Sequence, residues 1–271
     1  MREAGQIDAT QRIRPPAVAG SFYPGQRPVL QREVDRYLDA ASTAGPIPKA
    51  LIVPHAGYSY SGPVAASGFV LLRPVRDRIE RVVLLGPSHH VPFYGLAMSR
   101  ADAFATPLGT VPLDRDGVSA TRQWPQVQTL EQAHQYEHSI EVQLPFLQRT
   151  LDTFTLVPLA IGEANASEVA DVVDTLWADG KTLVVVSSDL SHYHDYWTAR
   201  AIDSETSNLI ESFQWLKLSG ERACGYGGIR GLLKVAQQRH LKVKTVDLRN
   251  SGDTGGMTDQ VVGYGSYVIH E

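Results

Sequence analysis

"VVLLGPSHH" runs from Val82 to His90, and its reading decides the fold. A four-residue apolar run ends at Leu85, Gly86-Pro87 breaks it, and two adjacent histidines follow. An unalternating apolar run bounded by glycine and proline predicts a strand buried on both faces, as inside an α/β sheet. Two other runs end alike. "LIVPHAGYSYSG" (Leu51 to Gly62) places His55 after Val53, and "LVVVSSDLSHYHD" (Leu183 to Asp195) places His192 and His194 after Val186. Open α/β sheets bind ligands beyond the carboxyl ends of their strands. Three such ends bearing histidine therefore predict one shared site.

The flanking sequence supplies the alternating elements that this fold needs. Strands are predicted at Ala50–Val53, Arg81–Leu85, Thr155–Ile161, Thr182–Ser187, Leu241–Leu248 and Gly263–Ile269. Helices are predicted at Pro28–Ala41, where Leu30, Val34 and Leu38 recur at helical spacing, and at Pro63–Leu72, with proline in its first turn. Others are predicted at His138–Leu151, Ala166–Ala178, Tyr196–Phe213 and Gly227–Arg239. The stretch Tyr94 to Val111 alternates more and contains glycine and proline, which predicts a hairpin extending the sheet. The expected architecture is a single α/β domain over residues 14–271, with a mostly parallel or mixed central sheet flanked by helices, behind a flexible N-terminal arm at residues 1–13.

Composition narrows the function. The 271 residues are 43% hydrophobic and 20% charged, a balance that buries a sizeable core. A net charge of -4 with interspersed signs offers no basic stripe for nucleic acid or an anionic membrane. No apolar run approaches the roughly 18 residues of a membrane span, and the first residues lack the apolar core of a signal peptide, so a cytoplasmic location is expected. Cys224 is the only cysteine, so no internal disulfide forms. Its remaining roles are packing, metal binding or reactivity.

Neutral imidazole is a common ligand for transition ions, and strand-end loops let rings from distant segments meet one ion. A single half-buried histidine is usually just hydrogen-bonded, but histidines after three strands point together to chemistry. Cys224, in "ERACGYGGIRGLL", precedes three glycines and a helix start, where a thiolate is favoured. In "EHSIEVQLP", His138 and Glu141 are three apart and predicted on one helix face, suited to acid–base or supporting work. Glu137 and Glu141 equally fit a simple response to the helix dipole. In "SSDLSH", Asp189 stands three before His192 and is expected to orient its ring or else to cap a turn. Tyr58 and Tyr60 either line an aromatic pocket or belong to the core with a wet hydroxyl. His134, His240 and His270 read as surface residues, and His194 as the approach to the next helix.

Taken together, "RPPAVAGSFYPG", "PHAGYSYSGPVAA", "GPSHHVPFYGLAMSRADAFATPLG", "EHSIEVQLPFLQ", "SSDLSHY", "CGYGGI" and "NSGDTGG" resemble the Memo family, the B component of a system pairing a Memo protein with AMMECR1-like and radical-SAM proteins. The resemblance implies a fold similar to class III extradiol dioxygenases, which are non-haem iron enzymes. It also implies a metal site at His55, His89 and Cys224, with His138 and His192 lining the pocket, His192 similar to the dioxygenase base and Asp189 matching the family's aspartate. Extradiol enzymes use a carboxylate as third ligand. A cysteine there favours softer ions and alters the redox potential of iron.

Three functions compete. One is a redox metalloprotein holding Fe(II), or Cu or Zn, that acts on a small aromatic or peptide substrate with His192 as base. Another is a non-catalytic phosphopeptide- or ligand-binding module. The last is a zinc-dependent hydrolase. AMMECR1-like and radical-SAM proteins are the expected partners.

Overall fold

The computed structural model describes residues 11–177 and 180–271. Residues 1–10 of the expected arm and Ala178 of one expected helix lie outside the described residues. The first half runs β1 (Ile13–Arg14), α1 (Arg27–Ala40), β2 (Ala50–Val53), α2 (Tyr58–Phe69), β3 (Arg81–Pro87), β4 (Leu96–Met98), β5 (Ala103–Thr106), β6 (Gly109–Pro112), α3 (Arg115–Thr121), β7 (Val127–Thr129) and α4 (Gln132–Gln135). The second half runs α5 (Leu144–Thr150), β8 (Thr155–Ile161), α6 (Ala166–Leu176), β9 (Thr182–Ser187), β10 (His192–His194), α7 (Tyr196–Glu211), α8 (Tyr226–Gln238), β11 (Lys242–Asn250) and β12 (Val261–His270).

The main sheet has the order β10-β12-β2-β9-β3-β8-β4-β7, with β11 also paired to β12. Its centre, β2-β9-β3-β8, is parallel, and β12 and β4 flank it antiparallel. Successive residues of these strands enter opposite cores: Leu51, Val53, Val82 and Leu84 pack toward α1, α2 and α5, while Ile52, Val83, Leu85 and Val186 pack toward α6 and α8. Burial on both faces is why the runs do not alternate. The steps from β2 to β3 and from β8 to β9 go in opposite directions along the sheet. Right-handed crossovers then require their helices, α2 and α6, to lie on opposite faces, as they do.

Several expectations need correction. Residues 94–111 do not form one hairpin extending the main sheet. Only β4 joins it, whereas the β5–β6 hairpin pairs with β1 in a separate three-stranded sheet. The helix expected at 138–151 is a short 3-10 turn at Glu141–Gln143 followed by α5, because Pro145 suits only a first turn. Pro63 lies inside α2, whose first residue is Tyr58. Glycine and tyrosine in "HAGYSYSG" concealed that start.

One ion pair ties the N-terminal strand to the rest. Arg14 is buried, and its guanidinium donates to the Glu141 carboxylate, to the His134 carbonyl at 2.9 Å and to the Glu137 carbonyl. Glu141 is also buried and accepts the Ala17 amide at 2.7 Å, the Val18 amide at 3.0 Å and the Tyr23 hydroxyl. A buried pair is tolerated only when its remaining donors and acceptors are satisfied. Arg14→Met should therefore cost about 3–5 kcal/mol by leaving Glu141 charged and unpaired. Equilibrium urea denaturation measures this, and a loss below about 1 kcal/mol would class the pair with exposed ones.

Candidate metal centre

His55 stands two residues beyond β2, where Val53 is in register with Ser187 of β9. The Ser187 hydroxyl has one proton and gives it to the Ser139 carbonyl at 2.6 Å. It must therefore accept from the Gln143 amide at 2.8 Å and from His55 Nδ1–H at 2.9 Å. This fixes the tautomer of His55 and makes Nε2 an acceptor, faced by the Cys224 thiol at 3.3 Å. Burial, joined by the charge of His89, pulls the imidazole down to about 3, so His55 stays neutral.

His89 follows β3 and is held by Glu137. The carboxylate accepts the His89 amide at 2.6 Å and His89 Nδ1–H at 2.9 Å, then the amides of His138 at 2.9 Å and Ser139 at 2.8 Å. Burial alone would raise this carboxyl, but the bonds from His89 hold it well below the usual carboxylate range. Burial likewise opposes a charged His89, yet Glu137 outweighs it and raises the imidazole. His138 stacks on His89 with ring centroids 4.8 Å apart, and burial and His55 together lower it to about 4. One ligand nitrogen from each of His55, His89 and His138 can be chosen so that all three lie within 4.8 Å of one another.

Cys224 closes the group from the loop before α8, its Sγ 3.3 Å from His55 Nε2. Burial, with the nearby Asp189 charge, pushes its thiol up to about 12, so the favourable helix start expected for a thiolate does not prevail. Asp189 accepts the amides of His55 at 2.7 Å and Ala56 at 3.3 Å. It does not orient His192, whose Nδ1–H instead donates to the Leu190 carbonyl at 2.9 Å. His192 lies within electrostatic range of both His55 and Asp189. Soft and borderline donors with their second nitrogens tied to fixed acceptors fit a transition ion.

The family model for Memo-like proteins matches residues 14–268. The chain belongs to the Memo-like family. It is 36% identical over 271 residues to a MEMO1 family protein of Archaeoglobus fulgidus, which covers 95% of this chain and 99% of that one. It is 32% identical over 283 residues to one from Thermotoga neapolitana, with the same coverage of both chains. A solved structure of an uncharacterized protein from Escherichia coli K12 is similar at a TM-score of 0.55 and 13% identity, over 81% of this chain and 98% of that one, a likeness of fold. This agrees with the α/β architecture expected of a class III extradiol dioxygenase-like domain.

In this Memo-like chain, the structure thus brings together His55, His89, His138 and Cys224, with Asp189 and His192 beside them. Glu141 faces Arg14 rather than His138. His90 is exposed, and His134, expected at the surface, is buried, bonded to the Ala97 carbonyl at 2.9 Å. Tyr58 is core, its hydroxyl on the Val142 carbonyl, and Tyr60 is exposed. Ser187 carries no signal of its role in the sequence, because nothing in "SSD" marks which serine faces His55. No helix among the described residues is long and apolar enough to cross a membrane.

Replacing Glu137 by glutamine removes what opposes burial at His89. In the metal-free protein the His89 imidazole should titrate above the ordinary histidine range in the wild type and below it in Glu137→Gln. An NMR titration reads both midpoints, and an unchanged one would show that Glu137 does not govern this ring.

Proposed function

We propose that this protein is a metal-dependent redox protein of dioxygenase-like type, with His55, His89 and Cys224 as the ligands of Fe(II), or of Cu or Zn. The observation that carries the reading is the double tether: Ser187 and Glu137 each hold an Nδ1–H, so the Nε2 atoms of His55 and His89 are left for an ion, and that of His55 lies 3.3 Å from the Cys224 sulfur. Three protein ligands with open positions suit catalysis better than a closed structural site. A bound ion would supply Lewis acidity and, if iron or copper, one-electron chemistry. Around it Ser187 and Glu137 hold the rings in place, and Asp189 fixes the His55 backbone. His192 Nε2, left free by the Leu190 carbonyl, takes the proton of a substrate hydroxyl. The substrate class this favours is a small aromatic or peptide. The family resemblance supports AMMECR1-like and radical-SAM proteins as partners.

One observation favours a second reading. The three imidazoles of His55, His89 and His138 form an all-nitrogen set of the kind that holds catalytic zinc, pointing to a hydrolase. Metal analysis of anaerobically purified variants separates the two. Under the first, Cys224→Ala loses most of its metal, while His138→Ala and His90→Ala keep more than His89→Ala. Stoichiometric metal in Cys224→Ala together with loss in His138→Ala would replace the first ligand set by the second.

The role of His192 has its own test. His192→Ala should keep near-normal metal while metal-dependent oxygen consumption falls by a factor on the order of 10² to 10⁴. Metal loss equal to that of His55→Ala would make His192 a ligand instead, and full activity would end its assignment as base.

A further inference from the structure

Helix α7 passes beneath the loop that carries His192 and places a carboxyl there. Asp203 is 2% exposed, and its Oδ1 accepts the Ser191 amide at 3.0 Å. Its carboxyl also feels the buried Ser191 hydroxyl, and its Oδ2 presses against β12, where a Cβ added to Gly263 would lie 1.9 Å from it. Gly263 in turn stitches the same loop, its amide donating to the Ser191 carbonyl at 2.8 Å and its carbonyl accepting the Leu190 amide at 2.8 Å. The Leu190–Ser191 segment is thus pinned by three bonds. What remains is the Leu190 carbonyl, and it receives His192 Nδ1–H.

Neither side of this arrangement is explained by stability. Burying a carboxyl is costly, and desolvation is the largest influence on Asp203. Just after His192 the backbone enters the left-handed region at Tyr193, a residue with φ of 62° that is 73% exposed. A non-glycine residue there costs roughly 1–2 kcal/mol, and an exposed ring recovers little by packing. The β10–β12 register shifts at this point, between His192 and His194.

We propose that Asp203 is the positioning residue of His192: through the Ser191 amide it sets the Leu190 carbonyl, which fixes the Nδ1–H tautomer and presents Nε2 to the crevice. This deepens the reading of His192 as base and names what would prepare it. Burial raises the Asp203 carboxyl to about 6, but Oδ1 accepts the amide in either protonation state. An asparagine should therefore substitute.

The test is a long-range ¹H–¹⁵N correlation spectrum of metal-free protein labelled at histidine. Wild type should show neutral His192 protonated at Nδ1, Asp203→Ala a mixed or inverted tautomer, and Asp203→Asn the wild-type pattern. An unchanged His192 signal in folded Asp203→Ala, or equal disturbance in both variants, would overturn the proposal. Should Asp203→Ala fail to fold, Ser191 amide exchange decides: slowing of at least about 10-fold relative to a free amide in both wild type and Asp203→Asn supports the clamp. Free exchange in either sinks it. A fully active His192→Ala would end the reading of His192 as base without altering these spectra, so the two failures are distinguishable.

Discussion

The buried contact between Arg14 and Glu141 ties the N-terminal segment to the stretch that carries Glu137 and His138. The arginine gathers two carbonyls from residues 134–137 and one carboxylate, and the carboxylate gathers two amides and a tyrosine hydroxyl from residues 17–23. A segment with little regular structure is thereby fixed from behind. Because its rear is held, the Glu137 side chain can face forward and take four bonds from His89, His138 and Ser139. The cost of burying the charges is offset only by this completeness.

Much of the framework was legible because strands buried on both faces leave an unmistakable mark. Ala50–Val53, Thr155–Ile161 and Thr182–Ser187 have the bounds that their apolar runs suggest. The histidines at strand ends followed from the same geometry. What escaped depends on partners distant in sequence. Glu141 looked like a neighbour of His138 until Arg14, 127 residues away, claimed it. Asp189 looked like a partner for His192, but β2 and β9 are adjacent and the His55 amide reaches the carboxylate first. His134 carries no sign of burial in its own surroundings, and the three-residue strands β4, β7 and β10 are too short for a periodic signal.

The grouped side chains differ in how they hold protons, and this bears on any ion they receive. His55 is held neutral by burial, and the Cys224 thiol faces its Nε2 lone pair at 3.3 Å. Cys224 grips its proton more tightly than a free cysteine, so uptake of a thiolate-bound ion must expel that proton. Affinity through Cys224 would rise with pH, whereas an all-imidazole set would gain less.

Exposure across the centre is uneven. The His55 side chain is 2% exposed and that of His89 30%, and Phe22 lies 4.7 Å from the His138 ring. The His55 end of the cluster is thus sealed from solvent, while the stacked His89 and His138 rings lie toward it. An ion held across these rings would be hydrated on its His89 side and dry on its His55 side.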